Sequence, residues 1–170
     1  MNVRLQVTTL LLGFGLSFAP AAEPVKSAGG EITEFKQALT GIPRDAFQDL
    51  RPGSRKMEDA AAKANEQVRK NVEGKDGTFK MTVNIVEKFQ KKEAPDVTRT
   101  RLRATLETIR ESGTPIVVYL VATPDVSESP KLAKISKGSK ITVTGKISNG
   151  EILAKKSAEL HIDVMDAKIK

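Results

Sequence analysis

The stretch Lys137-Gly-Ser-Lys-Ile-Thr-Val-Thr-Gly-Lys-Ile147 decides the fold that this sequence predicts. Its inward positions are Ile141, Val143, Gly145 and Ile147, and lysines and threonines alternate with them. Alternation with a period of two predicts a half-buried strand. A glycine on the inward face lets a strand bend sharply or another backbone come close. The stretch therefore predicts a strand of a small closed β-barrel and indicates no chemistry of its own.

Further strands are predicted on both sides of this one. From Thr78 the apolar residues alternate as far as Ile85, and Val86 then breaks the phase, which is what a β-bulge produces. A Lys-Lys-Glu-Ala-Pro-Asp loop at 91–96 follows, and the other predicted strands are 98–109, 116–122 and 160–169, the last with a phase slip before Ala167 and Ile169. Asn149-Gly150 predicts a hairpin turn.

Helices are predicted before the strands. The best one covers residues 54–72, with Ser54 as its N-cap and Gly74 as its C-terminal cap. Its apolar stripe is narrow and rich in alanine, which predicts close packing against a sheet or barrel wall. Shorter helices are predicted at 31–40, 45–50 and 131–136.

The N-terminus has the form of a secretory signal. A weakly basic start precedes an apolar-leaning run at 5–18, and Ala19-Pro-Ala-Ala22 supplies the small residues of a cleavage site. We therefore expect residues 1–22 to be a signal peptide cleaved near Ala21 or Ala22, with 23–30 as a flexible lead-in. An uncleaved anchor or a buried helix is the alternative. After cleavage no transmembrane span is expected. The mature protein would be exported without disulfides, because the chain has no cysteine, and this fits a bacterial periplasmic or secreted protein.

Positive charge is concentrated in the second half of the chain. Without its first 22 residues the chain has 27 basic and 21 acidic residues. Residues 23–77 hold ten of each sign, whereas residues 78–170 hold 17 basic and 11 acidic residues. We therefore expect any anionic partner to meet the second half.

The order of the strands resembles that of the OB-fold, a five-stranded Greek-key barrel. The likeness is to small bacterial OB domains of the tRNA-anticodon-binding-like type. It rests on Ile135-Ser-Lys-Gly-Ser-Lys-Ile-Thr-Val-Thr-Gly145 and on the closing Asp166-Ala167, and it covers residues 78–170. The predicted fold is mainly β with N-terminal helices (α+β). A five-stranded OB-like barrel is predicted at 78–170. The helical segment that precedes it, at 31–77, contains the amphipathic helix and is predicted to pack on the barrel. A cystatin-like curved sheet and an SH3-like barrel remain alternatives.

The resemblance implies that a ligand meets strands two and three of the barrel and the loops beside them. The candidate ligand-binding residues there are Lys91, Lys92, Arg99, Arg101, Arg103, Tyr119, Lys155 and Lys156. The three arginines form a stripe about 13 Å long, because a strand rises about 3.3 Å per residue. The alternative is a solvated face that arginine keeps soluble.

The expected function is that of an exported, non-enzymatic binding module for an anionic polymer or an envelope component. A protein-interaction or structural envelope protein is the alternative, and an unrecognised hydrolase carries little weight. Nucleic acid is expected to be an unlikely partner, because stacking aromatics are few and the protein is expected to be exported. His161 lies between Glu159 and Asp163 but is a lone imidazole, so no metal site, cofactor or catalytic residue is predicted.

Overall fold

The computed structural model describes residues 30–91 and 94–170, and for residues 91 and 94–96 it describes the backbone alone. The predicted signal peptide, most of the predicted lead-in and Lys92 lie outside the described residues.

The described chain is mainly β. Its strands are β1 (Glu31–Ile32), β2 (Asp76–Thr82), β3 (Ile85–Lys91), β4 (Ala94–Glu111), β5 (Thr114–Pro124), β6 (Lys140–Ala154) and β7 (Ala158–Ile169). Its α-helices are α1 (Arg44–Asp49), α2 (Met57–Val72) and α3 (Ser129–Leu132), with 3-10 helices at Phe35–Leu39 and Val126–Glu128.

The seven strands form one mixed sheet in the order β1-β2-β6-β7-β5-β4-β3. The pairs β1–β2 and β5–β7 are parallel, and the other neighbouring pairs are antiparallel. Only Val83 and Asn84 separate β2 from β3, so these two strands are the halves of the first strand predicted from the sequence. Counted as one strand, they give the strand order of an OB-like fold.

The closed five-stranded barrel predicted from the sequence does not describe this sheet. The first strand divides at Val83 and Asn84, because the Val83 amide donates to Ser139 O (2.9 Å) and the Asn84 amide donates to Arg103 O (2.8 Å). β2 therefore follows β6 while β3 follows β4. The described residues of β2 have no ladder with β4, and an opening remains between β2 and the second half of β4. The phase change falls at Asn84 and not at Val86, so Ile85 is exposed.

Helix α2 packs on the sheet through the small side chains of its apolar stripe. Ala60, Ala61 and Ala64 are buried, and Val68 and Val72 have no exposed surface. The Asn65 side chain fixes the contact by donating to Ile152 O (3.1 Å) and accepting from the Ile152 amide on β6. The close packing predicted from the alanines is confirmed. The helix starts at Met57, and the Ser54 hydroxyl accepts instead from the Lys56 amide (3.2 Å).

The helix predicted at residues 31–40 is wrong. Residues 31–32 form β1, which pairs with Asp76 and Gly77 at the start of β2. The chain then makes a 3-10 helix, whose Phe35 ring stacks on Phe79 with the centroids 4.8 Å apart. Pairing with an existing strand edge and burial of an aromatic ring outweigh the helical spacing of the apolar residues.

The hairpin turn predicted at Asn149-Gly150 is also wrong. Both residues lie inside β6, where Asn149 pairs with Asp163 and Gly150 with Ile162. Gly150 is buried beneath α2, where the missing side chain makes room for Val72. The turn comes later, where the Lys155 amide donates to Ser157 O (3.2 Å).

Two local predictions on β6 and β7 are confirmed. A Cβ added to Gly145 would lie 2.8 Å from Met165 O, so this glycine permits close approach of the β7 backbone. The phase slip on β7 occurs at Asp166, which has a φ of 48° and turns Ala167 and Ile169 back into the core.

The short helix predicted at 131–136 lies earlier in the chain, as α3.

Replacing Gly150 with alanine should destabilise the protein by about 1–3 kcal/mol, because the added methyl group overpacks a filled interface. Its Cβ would overlap Val72 Cγ2 and would lie 3.1 Å from Val68 Cγ1. Chemical denaturation of Gly150→Ala measures the change in the free energy of unfolding. The control is Lys146→Ala on an exposed position of the same strand, with an expected change within about 0.5 kcal/mol. Equal stability of Gly150→Ala and the unmodified protein would show that α2 does not press on β6 here.

Candidate functional site

A groove of about 510 Å³ lies on the outer face of the sheet and crosses β3, β4, β5, β7 and β6. Leu102, Leu120 and Ile162 point into the core from the three middle strands, so the residues that alternate with them point outward. The outward side chains of the groove include those of Ile85, Arg101, Arg103, Thr105, Tyr119, Glu151, Lys155, Glu159, His161 and Asp163.

The arginine side of the groove is built on β3 and β4. The register sets Phe89 opposite Arg99 and Glu87 opposite Arg101, so all of these side chains share the outer face. The Arg101 guanidinium lies over the Phe89 ring, 4.4 Å from its centroid. Arg103 Nη2 lies 3.1 Å from Glu87 Oε2 in a half-exposed ion pair. Both guanidiniums are thus held by neighbours on β3.

The aromatic side of the groove is built on β5 and β7. Their parallel pairing sets Tyr119 directly opposite His161, and the two rings stack with centroids 4.8 Å apart. His161 Nε2 lies 3.0 Å from Glu159 Oε2, which fixes the imidazole further. His161 is therefore half-buried, with a carboxylate partner and a stacked ring beside it.

Three carboxylates line the groove on β6 and β7: Glu151, Glu159 and Asp163. Lys155 Nζ lies 3.8 Å from Glu159 Oε2. Burial raises the pKa of Asp163, although a hydrogen bond from Asn149 and the charge of Arg101 oppose this shift. The groove is thus divided, with arginines along β4 and carboxylates along β6 and β7.

The structure brings four of the eight candidate residues together in the groove: Arg101, Arg103, Tyr119 and Lys155. Lys156 is exposed in the turn that follows β6, and Arg99 is half-buried outside the groove lining. Hydrogen bonds from Ser127 lower the pKa of Asp125, and the nearby charge of Arg99 lowers it further. The side chain of Lys91 and the whole of Lys92 lie outside the described residues.

Phe89 and His161 belong to the site but were not among the residues predicted from the sequence. Alternation already placed Glu159, His161 and Asp163 on one outer face of the last strand. What it could not supply was the register between β5 and β7, which brings Tyr119 onto His161.

In the part of the chain that the structure describes, the groove carboxylates included, no group of three or more histidine, aspartate or glutamate side chains is placed to hold a metal ion. None of the helices between residues 30 and 170 is long and apolar enough to cross a membrane.

The fold and the groove define a mainly β, OB-like protein. No family model matches the sequence, and no curated protein matches it. Among solved structures, the chain is similar to a lipoprotein of Klebsiella pneumoniae described provisionally as nucleic acid-binding. The identity is 12%, the TM-score 0.39, and the match covers 61% of this chain and 76% of that one.

Two other matches are similar in kind. One is the Plasmodium falciparum SSB in complex with ssDNA, at 10% identity and a TM-score of 0.35, covering 55% of this chain and 90% of that one. The other is DNA binding domain A of S. cerevisiae Replication Protein A, at 12% identity and a TM-score of 0.29, covering 56% and 81%.

These matches contradict the expectation that nucleic acid is an unlikely partner, since all three structures carry descriptions that name nucleic-acid binding. That expectation relied on a count of aromatic residues and on expected export, neither of which describes the groove. The identities and TM-scores are low, so the assignment of a ligand rests on the groove itself.

Replacing Asp163 with asparagine should remove the loss of folding stability that ionising this carboxyl causes. Because burial raises the pKa of Asp163 above 3.8 in the folded state, ionising this carboxyl costs stability as the pH rises through the raised pKa. The melting temperature of Asp163→Asn minus that of the unmodified protein should therefore increase between about pH 3 and about pH 7. Asp166→Asn, at an exposed position, is the matched control. A difference that stays constant with pH would contradict the assignment.

Proposed function

We propose that this chain is a non-enzymatic, OB-like module that binds single-stranded nucleic acid in the groove across β4, β5 and β7. The observation that carries the proposal is the presence of fixed guanidiniums and a stacked aromatic pair on one face. Proteins that bind single strands combine a positively charged track with rings on which bases stack.

Arg101 and Arg103 form the charged track. They lie two residues apart on the outer face of β4, so their Cα atoms are separated by about 6.6 Å. Guanidiniums hold phosphates with paired hydrogen bonds. Packing on Phe89 and pairing with Glu87 reduce the side-chain freedom that each arginine loses when a strand binds.

Tyr119 and His161 form the stacking platform. A ring already fixed by a neighbouring ring loses little freedom when a base stacks on it, and such stacking is worth about 1–3 kcal/mol per base. Ile85 is 52% exposed at the β3 side of the same groove and offers an apolar contact to a base.

The carboxylates set the orientation of the strand. Glu151, Glu159 and Asp163 repel phosphate on the β6 and β7 side, while the arginines attract it on the β4 side. A strand that follows β4 with its phosphates therefore turns its bases toward Tyr119 and His161. The groove is nearly neutral as a whole, but its positive and negative side chains lie on opposite sides. This separation favours the arrangement in which the phosphates of the polymer follow β4.

The finer statements of fold and compartment belong to the same proposal. We infer that residues 76–91 act as one bent strand of a partly open barrel. We also infer that residues 1–22 direct export, so that the module meets its polymer outside the cytoplasm. Expression of the full chain in bacteria, followed by N-terminal sequencing of the periplasmic fraction, tests export; a mature protein that begins at Met1 overturns it.

The double variant Arg101→Gln/Arg103→Gln should bind single-stranded oligonucleotides at least about tenfold more weakly at 50 mM salt, because two phosphate contacts are lost. Fluorescence anisotropy with a labelled oligonucleotide of mixed sequence measures the affinity. The control, Lys63→Gln/Lys70→Gln on the exposed face of α2, removes the same charge away from the groove. Equal losses in both variants would mean that net charge and not the groove drives binding.

Replacing Tyr119 with leucine should weaken binding by about fivefold to a hundredfold, because one base loses its stacking surface. Tyr119→Phe keeps the ring and should bind nearly as well as the unmodified protein. The same anisotropy assay compares the three proteins, with thermal unfolding as a check on folding. Full affinity in Tyr119→Leu would exclude the platform, and loss in Tyr119→Phe would assign the effect to the hydroxyl group.

A further inference from the structure

A second cavity, of about 500 Å³, lies at the opening between β2 and β4. Its walls come from β2, from β4 beyond Arg103 and from the start of β6, and Phe35 of the 3-10 helix also lines it. β4 shifts its register with β5 between Thr105 and Thr108, next to this opening. The cavity is therefore a direct result of the divided first strand.

The second cavity adjoins the groove. Thr105 lines both, and on the outer face of β4 it is the next position after Arg101 and Arg103. The Thr105 amide donates to Asn84 Oδ1 (2.8 Å), which joins the two halves of the sheet where the cavities meet. The outward run from Arg99 to Thr105 is about 20 Å long, and it leads directly into the opening.

Three lysines converge on the second cavity: Lys80, Lys140 and Lys170. Lys80 pairs with Thr142, and Thr142 exchanges two backbone hydrogen bonds with Lys170 (3.0 and 2.9 Å). All three lysines are exposed, and none has a salt bridge within the described residues. Glu107 is the single carboxylate side chain of the lining, so the cavity is net positive.

The second cavity has charge without a stacking platform. Its one aromatic side chain, Phe35, is buried against Phe79 and is not free to receive a base. Lysine ammonium groups are point charges that suit phosphates, and phosphate contacts carry no sequence information. This chemistry complements that of the groove, in which both phosphates and bases find partners.

We propose that Lys80, Lys140 and Lys170 extend the binding site, and that a strand leaving the groove past Thr105 continues with its phosphates on these lysines. This inference rests on the proposed function. It makes the footprint longer than the groove, with base contacts confined to one end and purely electrostatic contacts at the other.

The test compares a short and a long single-stranded oligonucleotide, of about 4 and about 12 nucleotides, since one OB fold covers about 4–16. Both are titrated into the unmodified protein, into Lys80→Gln/Lys140→Gln/Lys170→Gln and into the charge-matched control Lys56→Gln/Lys63→Gln/Lys70→Gln. The affinities are measured from 50 to 200 mM salt, and circular dichroism confirms that each variant is folded.

The expected result is a loss for the long oligonucleotide alone. The Lys80/Lys140/Lys170 variant should bind it at least about tenfold more weakly at 50 mM salt, and the salt dependence of log K should fall by about 2, since each phosphate contact on a single strand contributes about 0.7. The short oligonucleotide and the control variant should be unaffected.

Two results would overturn the extension. Unchanged binding of the long oligonucleotide would show that the lysines touch no phosphate, and equal losses for both lengths would show a general effect of charge. In either case the arginine double variant reports separately on the groove. Failure of the unmodified protein to bind either oligonucleotide would overturn the proposed function, and the extension with it.

Discussion

The bend at Val83 and Asn84 is the constraint on which the rest of the structure depends. Buried and half-buried backbone groups must find partners, and here two adjacent amides find them on opposite sides, Val83 at Ser139 and Asn84 at Arg103. The bent strand thereby pairs with β6 through its first half, β2, and with β4 through its second half, β3. The groove and the opening meet at Thr105, whose amide donates to Asn84 Oδ1.

The outer face of the sheet carries different functional groups on different strands, while the inner face is predominantly apolar. Leu102, Leu120 and Ile162 give β4, β5 and β7 a common core, so the side chains that alternate with them are free to differ. β4 contributes guanidiniums, β5 a phenol ring and β7 an imidazole between carboxylates. A substitution of an exposed residue on this face should therefore cost little stability. Asp163 differs, because burial raises the pKa of its carboxyl.

The parts of the fold that could be predicted from the sequence are those that depend on the alternation of apolar and polar residues within one strand. Gly145 and the phase slip at Asp166 each interrupt the alternation of a single strand, and the structure has both where the sequence pattern predicted them. Gly150 misled the prediction because its reason is a contact with α2, far away in the sequence, and not a turn. The site could be predicted only in part, because a contact between strands does not show in the pattern of one strand. The arginines share β4, but Tyr119 meets His161 only through the register of β5 and β7.

The central place of β7 has a consequence for how the chain reaches this structure. β7 is the latest of the seven strands, yet it lies between β5 and β6, antiparallel to β6 and parallel to β5. Until it docks, both neighbours carry an unpaired edge, and such edges are templates for wrong pairing with other chains. Assembly of the sheet is thus governed by contacts between distant parts of the sequence, which slows folding relative to a sheet of successive hairpins. The chain therefore stays vulnerable to aggregation until residues 158–169 have docked between β5 and β6.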